Sequence, residues 1–411
     1  MKVAILTLGC RVNQSESAAI EGSLLQKGVT IVNLNEKPDY CVVNTCSVTA
    51  KSDLNSRQLI RRAAGAGAKV IVTGCYSQLR TEEAGRLPGV WKIIDSRSKL
   101  NVIDEITGAK PATYHSYSSR SRPYLKVQDG CNFRCTYCSV PLARGRSRSV
   151  PEEEVIERAL GIEAAGYREI VLTGIHLGSY GKDLEENRSL KRLLTQLLKR
   201  TSISRFRLSS LEIGEIDDEM IDILSQERIC RHLHLPLQSG SRRILRAMRR
   251  NYTLEGYVST VGKVMRRIDN LSLGTDVIVG FPEEGEEEFN ETLNFVKGLP
   301  LSYMHIFPYS PRPGTDAERM EGRPDGPTTK GRAKLLAEVN LLKKKEFLLK
   351  QLGCGLDVIV ETTKGGSFTG TSGNYLKVQA SLPGASKGSL VHVRPTAIKD
   401  GILRGVPIQS A

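Results

Sequence analysis

Short apolar runs alternate with helical stretches over the first three quarters of this 411-residue chain, and a cysteine follows three of the first runs at once. The runs are Val3 to Leu8, Tyr40 to Val43, Lys69 to Val72 and Val90 to Ile94. Helical patterns lie between them, at about Ser15 to Lys27, Ala50 to Ala66 and Ser77 to Leu87. Continuous apolar strands separated by helices predict a parallel sheet covered on both faces. The carboxyl ends of such strands share one edge, where open α/β sheets bind ligands. Cys10, Cys46 and Cys75 each sit just past a predicted strand and are delivered to that edge together. Cys41 lies inside its strand and reads as core. Residues 107–123 lack apolar periodicity, are rich in Ser, Pro and Arg, and read as a linker.

A second series starts at Tyr124. Its strands are expected at Tyr124–Gln128, Glu169–Thr173, Arg205–Ser209, Leu233–Leu237, Leu273–Val279 and Tyr303–Phe307. Helices are expected between them: Glu152–Ala165, Ser189–Lys199, Asp217–Ser225, Ser241–Arg249 with Leu254–Arg267, and Glu286–Lys297. Six strands are too few for a closed eight-stranded barrel and fit an open (β/α)6 barrel with its working face at the carboxyl ends. A long basic helix follows at about Lys330 to Gln351. The remainder is short β runs broken by glycine, as in a small antiparallel barrel. The expected fold class is therefore α/β in three domains: residues 1–110, 120–345 and 346–411.

Composition narrows the partners. Lys plus Arg number 59 against 45 Asp plus Glu, a formal +14, which favours a polyanion such as nucleic acid. The residues from Gln351 onward carry six Lys/Arg against three Asp/Glu, so the terminal barrel reads as an RNA-binding module. No run approaches the ~20 apolar residues of a spanning helix, and the opening residues lack a secretory leader. No membrane association and a cytoplasmic location are expected. Nine cysteines, an odd number, argue against a disulfide framework and for metal or cluster binding.

The sharpest local signal is DGCNFRCTYCSVP. Cys131, Cys135 and Cys138 follow the first strand of the second series with the spacing C-x3-C-x2-C. Three thiolates from one loop can hold three irons of a [4Fe–4S] cube and leave the fourth open to substrate. A closed zinc site wants four ligands, and the loop offers no fourth Cys and no His.

CNFRCTYC, with Tyr137 at its aromatic position, resembles the signature of radical S-adenosylmethionine (SAM) enzymes. Together with TLGCRVNQSES, VVNTCSVT, VTGCYSQ, LPLQSGS, VIVGFP and FPYSPRPGT, it resembles the methylthiotransferase family over essentially the whole chain. The last ~60 residues are similar to a TRAM domain. LGCRVNQ and FPYSPRPGT most resemble the branch acting on threonylcarbamoyladenosine in tRNA.

The resemblance implies two [4Fe–4S] clusters and SAM. Cys131, Cys135 and Cys138 would hold the SAM-binding cluster, and Cys10, Cys46 and Cys75 an auxiliary cluster that carries the sulfur. Reductive cleavage of SAM would then activate an inert adenine C–H bond, chemistry that belongs to the cofactor while the protein positions it. Further SAM contacts are expected from Tyr137, Thr173, Gly174, Glu212, Gln238, Ser239, Gly280 and Glu283. The partners implied are a tRNA substrate, an electron donor and a sulfur source. Cys230 and Cys354 fall in neither set and read as structural.

Arg144, Arg146 and Arg148 are candidates for phosphate contact, with intraprotein salt bridges as the alternative. Arg242, Arg243, Arg246, Arg249 and Arg250 cannot all face one phosphate path. His176, His232, His234 and His305 lie near strand ends and read as hydrogen-bonded core residues. Two rivals stand beside the main reading. One is the same chemistry on isopentenyladenosine in tRNA or on a ribosomal-protein aspartate. The other is a non-catalytic, metal-containing nucleic-acid-binding protein.

Overall fold

The computed structural model describes residues 1–109, 120–184 and 187–408. Five strands form the first sheet: β1 (Lys2–Thr7), β2 (Thr30–Ile31), β3 (Tyr40–Thr45), β4 (Lys69–Gly74) and β5 (Val90–Ile93). All pairings are parallel and the order is β2-β1-β3-β4-β5. Apolar residues of alternate parity face the two sides, so Val3, Val42 and Ile71 join one core and Ala4, Val43 and Val72 the other. Cys41 is fully buried in the second. The chain reverses direction across the sheet between β1 and β3, and the loops after both strands carry a cysteine. That crevice is the usual ligand position in this topology.

The first domain departs from the sequence expectation in one helix and adds two short elements. The helix expected over Ser77–Leu87 is two, Cys75–Leu79 and Thr81–Gly85, broken at Arg80, whose φ/ψ of −133°/45° is not helical. The strand β2 and the helix Asn101–Thr107 were not expected from the pattern, because both are too short to show a period. Of the linker read over 107–123, residues 110–119 lie outside the described residues.

The second series opens with β6 (Tyr124–Lys126). The strand expected to run on to Gln128 stops at Lys126. Instead β7 (Gln128–Asp129) pairs antiparallel with β8 (Arg148–Ser149), a clasp whose connection contains the three-cysteine loop. The remaining strands are β9 (Glu169–Thr173), β10 (Arg205–Leu208), β11 (His232–His234), β12 (Ser272–Val279) and β13 (Tyr303–Pro308). They run parallel as β6-β9-β10 and β11-β12-β13, joined through a bridge between Phe206 and Ile229. Helices cover the outside at close to the expected positions; Leu254–Arg267 matches at both ends. The result is an open six-stranded partial barrel.

The long helix spans Gly326–Leu349. It leads into a closed barrel of β14 (Leu356–Lys364), β15 (Ser367–Ser372), β16 (Lys377–Ser381), β17 (Leu390–Lys399) and β18 (Ile402–Pro407). Four of its pairings are antiparallel and β16–β18 is parallel.

Charged residues join this barrel to the larger one. Glu169, fully buried at the start of β9, accepts from Arg205 Nε at 2.5 Å and Arg207 Nε at 2.8 Å. The same two guanidinium groups donate onward to the carbonyls of Asp357, Thr371, Ser372 and Gly373 in the terminal barrel. Burial pushes the Glu169 carboxyl up, but Arg205, Arg207 and Arg122 outweigh it and bring it down to about 2. A depressed carboxyl stabilises the fold above its ordinary range and loses that contribution as pH falls from about 4.5 toward 2. Glu169→Ala leaves Arg205 and Arg207 buried without their counter-ion. The expected loss is about 3–5 kcal/mol, read as a lower unfolding midpoint in urea.

Candidate functional site

Glycine geometry brings the first three cysteines together. Gly9 and Gly74 both sit at φ +102°. A Cβ on Gly9 would lie 2.9 Å from Cys46 Cβ, and one on Gly74 would lie 2.3 Å from the Thr45 carbonyl. Only glycine lets the loops after β1, β3 and β4 pack this closely. Cys10 and Cys75 then stand at or just inside the N-termini of the helices Arg11–Gln26 and Cys75–Leu79. Burial raises the Cys46 thiol, and the neighbouring Cys75 and Cys10 raise it further. The trio is thus within electrostatic reach of itself, with Cys10 exposed and the other two buried.

The second trio lies in the loop after β7. The loop is pinned by Thr136, whose N–H and hydroxyl donate to the carbonyls of Met248 (3.2 Å) and Ala247 (2.9 Å). His176 Nδ1 lies 3.7 Å from Cys131 Sγ, while its Nε2 lies 2.6 Å from Glu215 Oε1. Arg250 Nη1 is 3.7 Å from Cys135 Sγ and 3.2 Å from Glu212 Oε1. Burial pushes the Cys138 thiol up to about 12, and it raises Cys135 despite Arg250. Thiols this buried ionise when a metal takes the place of their protons, which suits them to ligation. Three soft sulfur donors per site, with His176 and Arg250 beside one of them, fit a thiolate-held iron–sulfur cluster.

The two trios are neighbours. The helix Cys75–Leu79 packs against Val140–Arg144, which begins two residues after Cys138. Arg144 ends that helix and is almost fully buried. Its guanidinium donates to Asp129 Oδ1 at 2.8 Å, to Glu16 Oε1 at 3.1 Å, and to Asn13 Oδ1. Its charge also acts on Cys75 and Cys10. Lys99 completes the network on Glu16. Burial pushes Glu16 up, but Lys99, Arg144 and Lys126 hold it well below the usual carboxylate range. Arg144 is therefore removed from the phosphate-contact candidates; it bridges the N-terminal unit and the cysteine loop. Arg146 is exposed, and Arg148 is half-exposed 3.9 Å from Asp129.

A second fastening joins the loop after β13 to the N-terminal unit. Arg312 Nη1 donates to Asp53 Oδ2 at 2.7 Å and to the Ser47 carbonyl at 3.3 Å, and the Ala50 N–H donates to Ser310 Oγ at 2.9 Å. The loop after β13 therefore grips the segment that follows Cys46. Neither Asp53–Arg312 nor the contacts of Arg144 with Glu16 and Asn13 were legible as a site in the sequence: each pair is far apart along the chain and has no periodic signature.

The other expected contacts divide. Tyr137 packs edge-on against Phe281 at 6.5 Å, beside Gly280. A Cβ on Gly174 would meet Gln128, whose amide donates to the Gly130 carbonyl at 2.7 Å, so Gly174 borders the cysteine loop. Glu212 borders it through Arg250. Gln238 is held at φ +69°, its N–H donating to the Asp276 carbonyl at 2.8 Å. Thr173 is buried at the end of β9. Two residues point elsewhere. Ser239 is fully buried with its hydroxyl 3.1 Å from that of Thr292, facing a covering helix. Glu283 is exposed, and its neighbour Glu284 instead accepts the Gly280 N–H at 2.9 Å and Arg332 at 2.7 Å.

His176, His232 and His234 are buried and hydrogen-bonded, as expected of core residues, whereas His305 is exposed. His232 Nε2 and His234 Nδ1 lie 2.8 and 3.1 Å from Tyr303 Oη, and His234 and His305 both reach Asp276 Oδ1, at 2.9 and 3.1 Å. Four of the five clustered arginines pair with acids: Arg242 with Glu255, Arg243 with Glu288, Arg249 with Asp316 and Arg250 with Glu212.

Comparison with known proteins agrees with this geometry. Residues 125–296 match the model of the Radical SAM superfamily, and residues 2–94 match Uncharacterized protein family UPF0004. A threonylcarbamoyladenosine tRNA methylthiotransferase MtaB from Aquifex aeolicus is 41% identical, covering 88% of this chain and 93% of that one. Its Bacillus subtilis namesake is 40% identical over 92% and 89%. The chain belongs to the radical SAM tRNA methylthiotransferase family. A tRNA-2-methylthio-N(6)-dimethylallyladenosine synthase from Aliarcobacter butzleri is more distant, 31% identical over 98% of both chains. Among solved structures, the radical SAM methyltransferase TsrM from Kitasatospora setae has a TM-score of 0.61 at 15% identity over 77% of each chain, which speaks to fold alone. As a member of this methylthiotransferase family the chain is an enzyme that uses SAM and [4Fe–4S] clusters, with tRNA as substrate.

Proposed function

We propose that this methylthiotransferase acts in the cytoplasm, inserting a methylthio group at carbon 2 of threonylcarbamoyladenosine beside the tRNA anticodon. The observation that carries the reading is the convergence of two cysteine trios through Arg144. That buried guanidinium binds Asn13 and Glu16 of the helix that follows Cys10, and also Asp129, two residues before Cys131. The threonylcarbamoyl acceptor is favoured by relatives that carry that name at 33–41% identity, against 31% for those named for dimethylallyladenosine. Among the described residues, no helix is long and apolar enough to cross a membrane.

Cys131, Cys135 and Cys138 would hold the cluster that binds SAM, and Cys10, Cys46 and Cys75 the auxiliary one; together these groups supply one-electron C–H activation and a transferable sulfur. The chain's own residues do the positioning. His176, braced by Glu215, orients the Cys131 side of the loop. Arg250, braced by Glu212, places positive charge beside Cys135. Arg144 offsets the thiolate charge of Cys10 and Cys75. Arg312 and Asp53 tie the loop after β13 to the segment that follows Cys46.

The deciding experiment is mass analysis of nucleosides after reaction with anticodon stem–loops bearing threonylcarbamoyladenosine or dimethylallyladenosine. Methylthio product on the first alone is expected; product on the second alone would replace the acceptor assignment.

The terminal barrel is proposed to hold the tRNA backbone. Deleting it would strip Arg205 and Arg207 of buried acceptors, so surface charge is the cleaner test. Arg394, Lys399 and Arg404 are exposed. Changing all three to Glu is expected to weaken tRNA binding about tenfold or more and to flatten its salt dependence, measured by anisotropy at several salt concentrations. An unchanged affinity and slope would remove the barrel from the binding surface.

A further inference from the structure

We propose that His305 and Phe307 form the wall against which the acceptor purine stacks once it is everted from the anticodon loop. The proposal rests on the reading that this chain modifies an adenosine in tRNA.

The argument begins with β13, the last strand of the open barrel. Tyr303, His305 and Phe307 alternate onto one face, and the contacts of Tyr303 with His232 and His234 make it the inner face. Their rings follow one another, Tyr303 to His305 at 5.3 Å and His305 to Phe307 at 6.3 Å. Inward-facing residues on β9, β10 and β11, among them Glu169, Arg207 and His232, are fully buried, and Asp276 on the adjoining β12 is mostly buried. The aromatic row instead opens toward its end: the His305 side chain is 54% exposed and Phe307 41% exposed. His305 has its ring fixed by Asp276. Phe307 is a flat apolar surface left open inside a barrel.

Position supplies the second argument. Three residues beyond Phe307, Ser310 receives the Ala50 N–H, and Arg312 then binds Ser47 and Asp53. The aromatic wall and the Cys46 segment are therefore held by one loop. A target base inside a duplex or stacked loop must be extruded before its ring carbon can be reached, and everted bases are held between aromatic and apolar side chains. Exposed Val48, two residues after Cys46, and exposed Leu142, four after Cys138, add apolar surface beside both trios. A wall at this place would present a base to both.

The test uses the cluster-loaded holoenzyme, SAM and an anticodon stem–loop bearing threonylcarbamoyladenosine. Base–aromatic stacking is sequence-tolerant and accounts for roughly 5- to 150-fold in affinity. Phe307→Leu is expected to weaken stem–loop binding by about tenfold. It should also raise the amount of 5′-deoxyadenosine released per methylthio product, because SAM cleavage no longer meets a seated base. Phe307→Trp is expected to restore both. A merely structural phenylalanine would be served by leucine, which keeps the side chain apolar, and both affinity and product ratio would then stay at their wild-type values. Leucine behaving as wild type in affinity and product ratio, or tryptophan failing where leucine succeeds, overturns the wall. If the wild-type protein makes no product on this stem–loop, the acceptor reading fails, and the affinity comparison of Leu and Trp variants still decides the proposal.

Discussion

Cys131→Ala is expected to abolish SAM cleavage outright. Cys131 stands at the head of the loop, 3.7 Å from a His176 ring that is itself braced by Glu215. Removing it takes one of three thiolates from a site that has no fourth protein sulfur in its loop. Two thiolates do not hold a cube that must also leave one corner open. Release of 5′-deoxyadenosine on reduction, followed chromatographically, should fall at least 10³-fold. The iron content of anaerobically reconstituted protein should drop from about eight per chain to about four. Full-rate SAM cleavage by this variant would refute the assignment of the loop. The fold should survive, because Cys131 is only half-buried and the loop is pinned elsewhere by Thr136.

Cys46→Ala is expected to separate the two halves of the reaction. Cys46 is buried and lies outside the second trio's loop, so SAM cleavage should persist within about threefold of wild type. Methylthio product should be lost. The same preparation should contain about four irons, bound by Cys131, Cys135 and Cys138. Alanine fits the site without strain, and the Cys46 backbone remains tied to Ser56, whose hydroxyl donates to the Cys46 carbonyl at 2.9 Å. Wild-type product formation by Cys46→Ala would remove the N-terminal trio from the chemistry. Simultaneous loss of SAM cleavage would instead mean that the two sites are structurally inseparable through the Arg144 network, against the expectation from their separate loops.

The strand–helix alternation and the strand-end cysteines were readable because each depends on residues close in sequence. A run of Val and Ile bounded by glycine and polar residues reports a strand without reference to any partner. Glycine immediately before Cys10 and Cys75 marks turns that only close approach requires. The elements missed were those too short for a period, β2 and the helix Asn101–Thr107, and those broken by a single residue, as at Arg80. The arginines show the limit best. LARGRSRS and the Arg242–Arg250 cluster are both arginine-rich in the sequence. Yet Arg144 is buried on Glu16 and Asp129, Arg250 serves Glu212 and Cys135, and Arg146 faces solvent. Charge is a local property, whereas the counter-ion is a distant one.

Local residue order was sufficient for the strand–helix architecture and for cysteines at strand ends, since side-chain periodicity acts over a few residues, and the chemical family was legible in the resemblance of its motifs. Tertiary packing alone decided that the trios adjoin, that Arg144 and Arg312 lock one unit to the other, and that an aromatic row opens on the inner face of β13. Those outcomes depend on contacts between residues distant in the sequence, such as Arg144 with Glu16 and Arg312 with Asp53, and the free energy of such a contact depends on which groups lose water together when the chain closes.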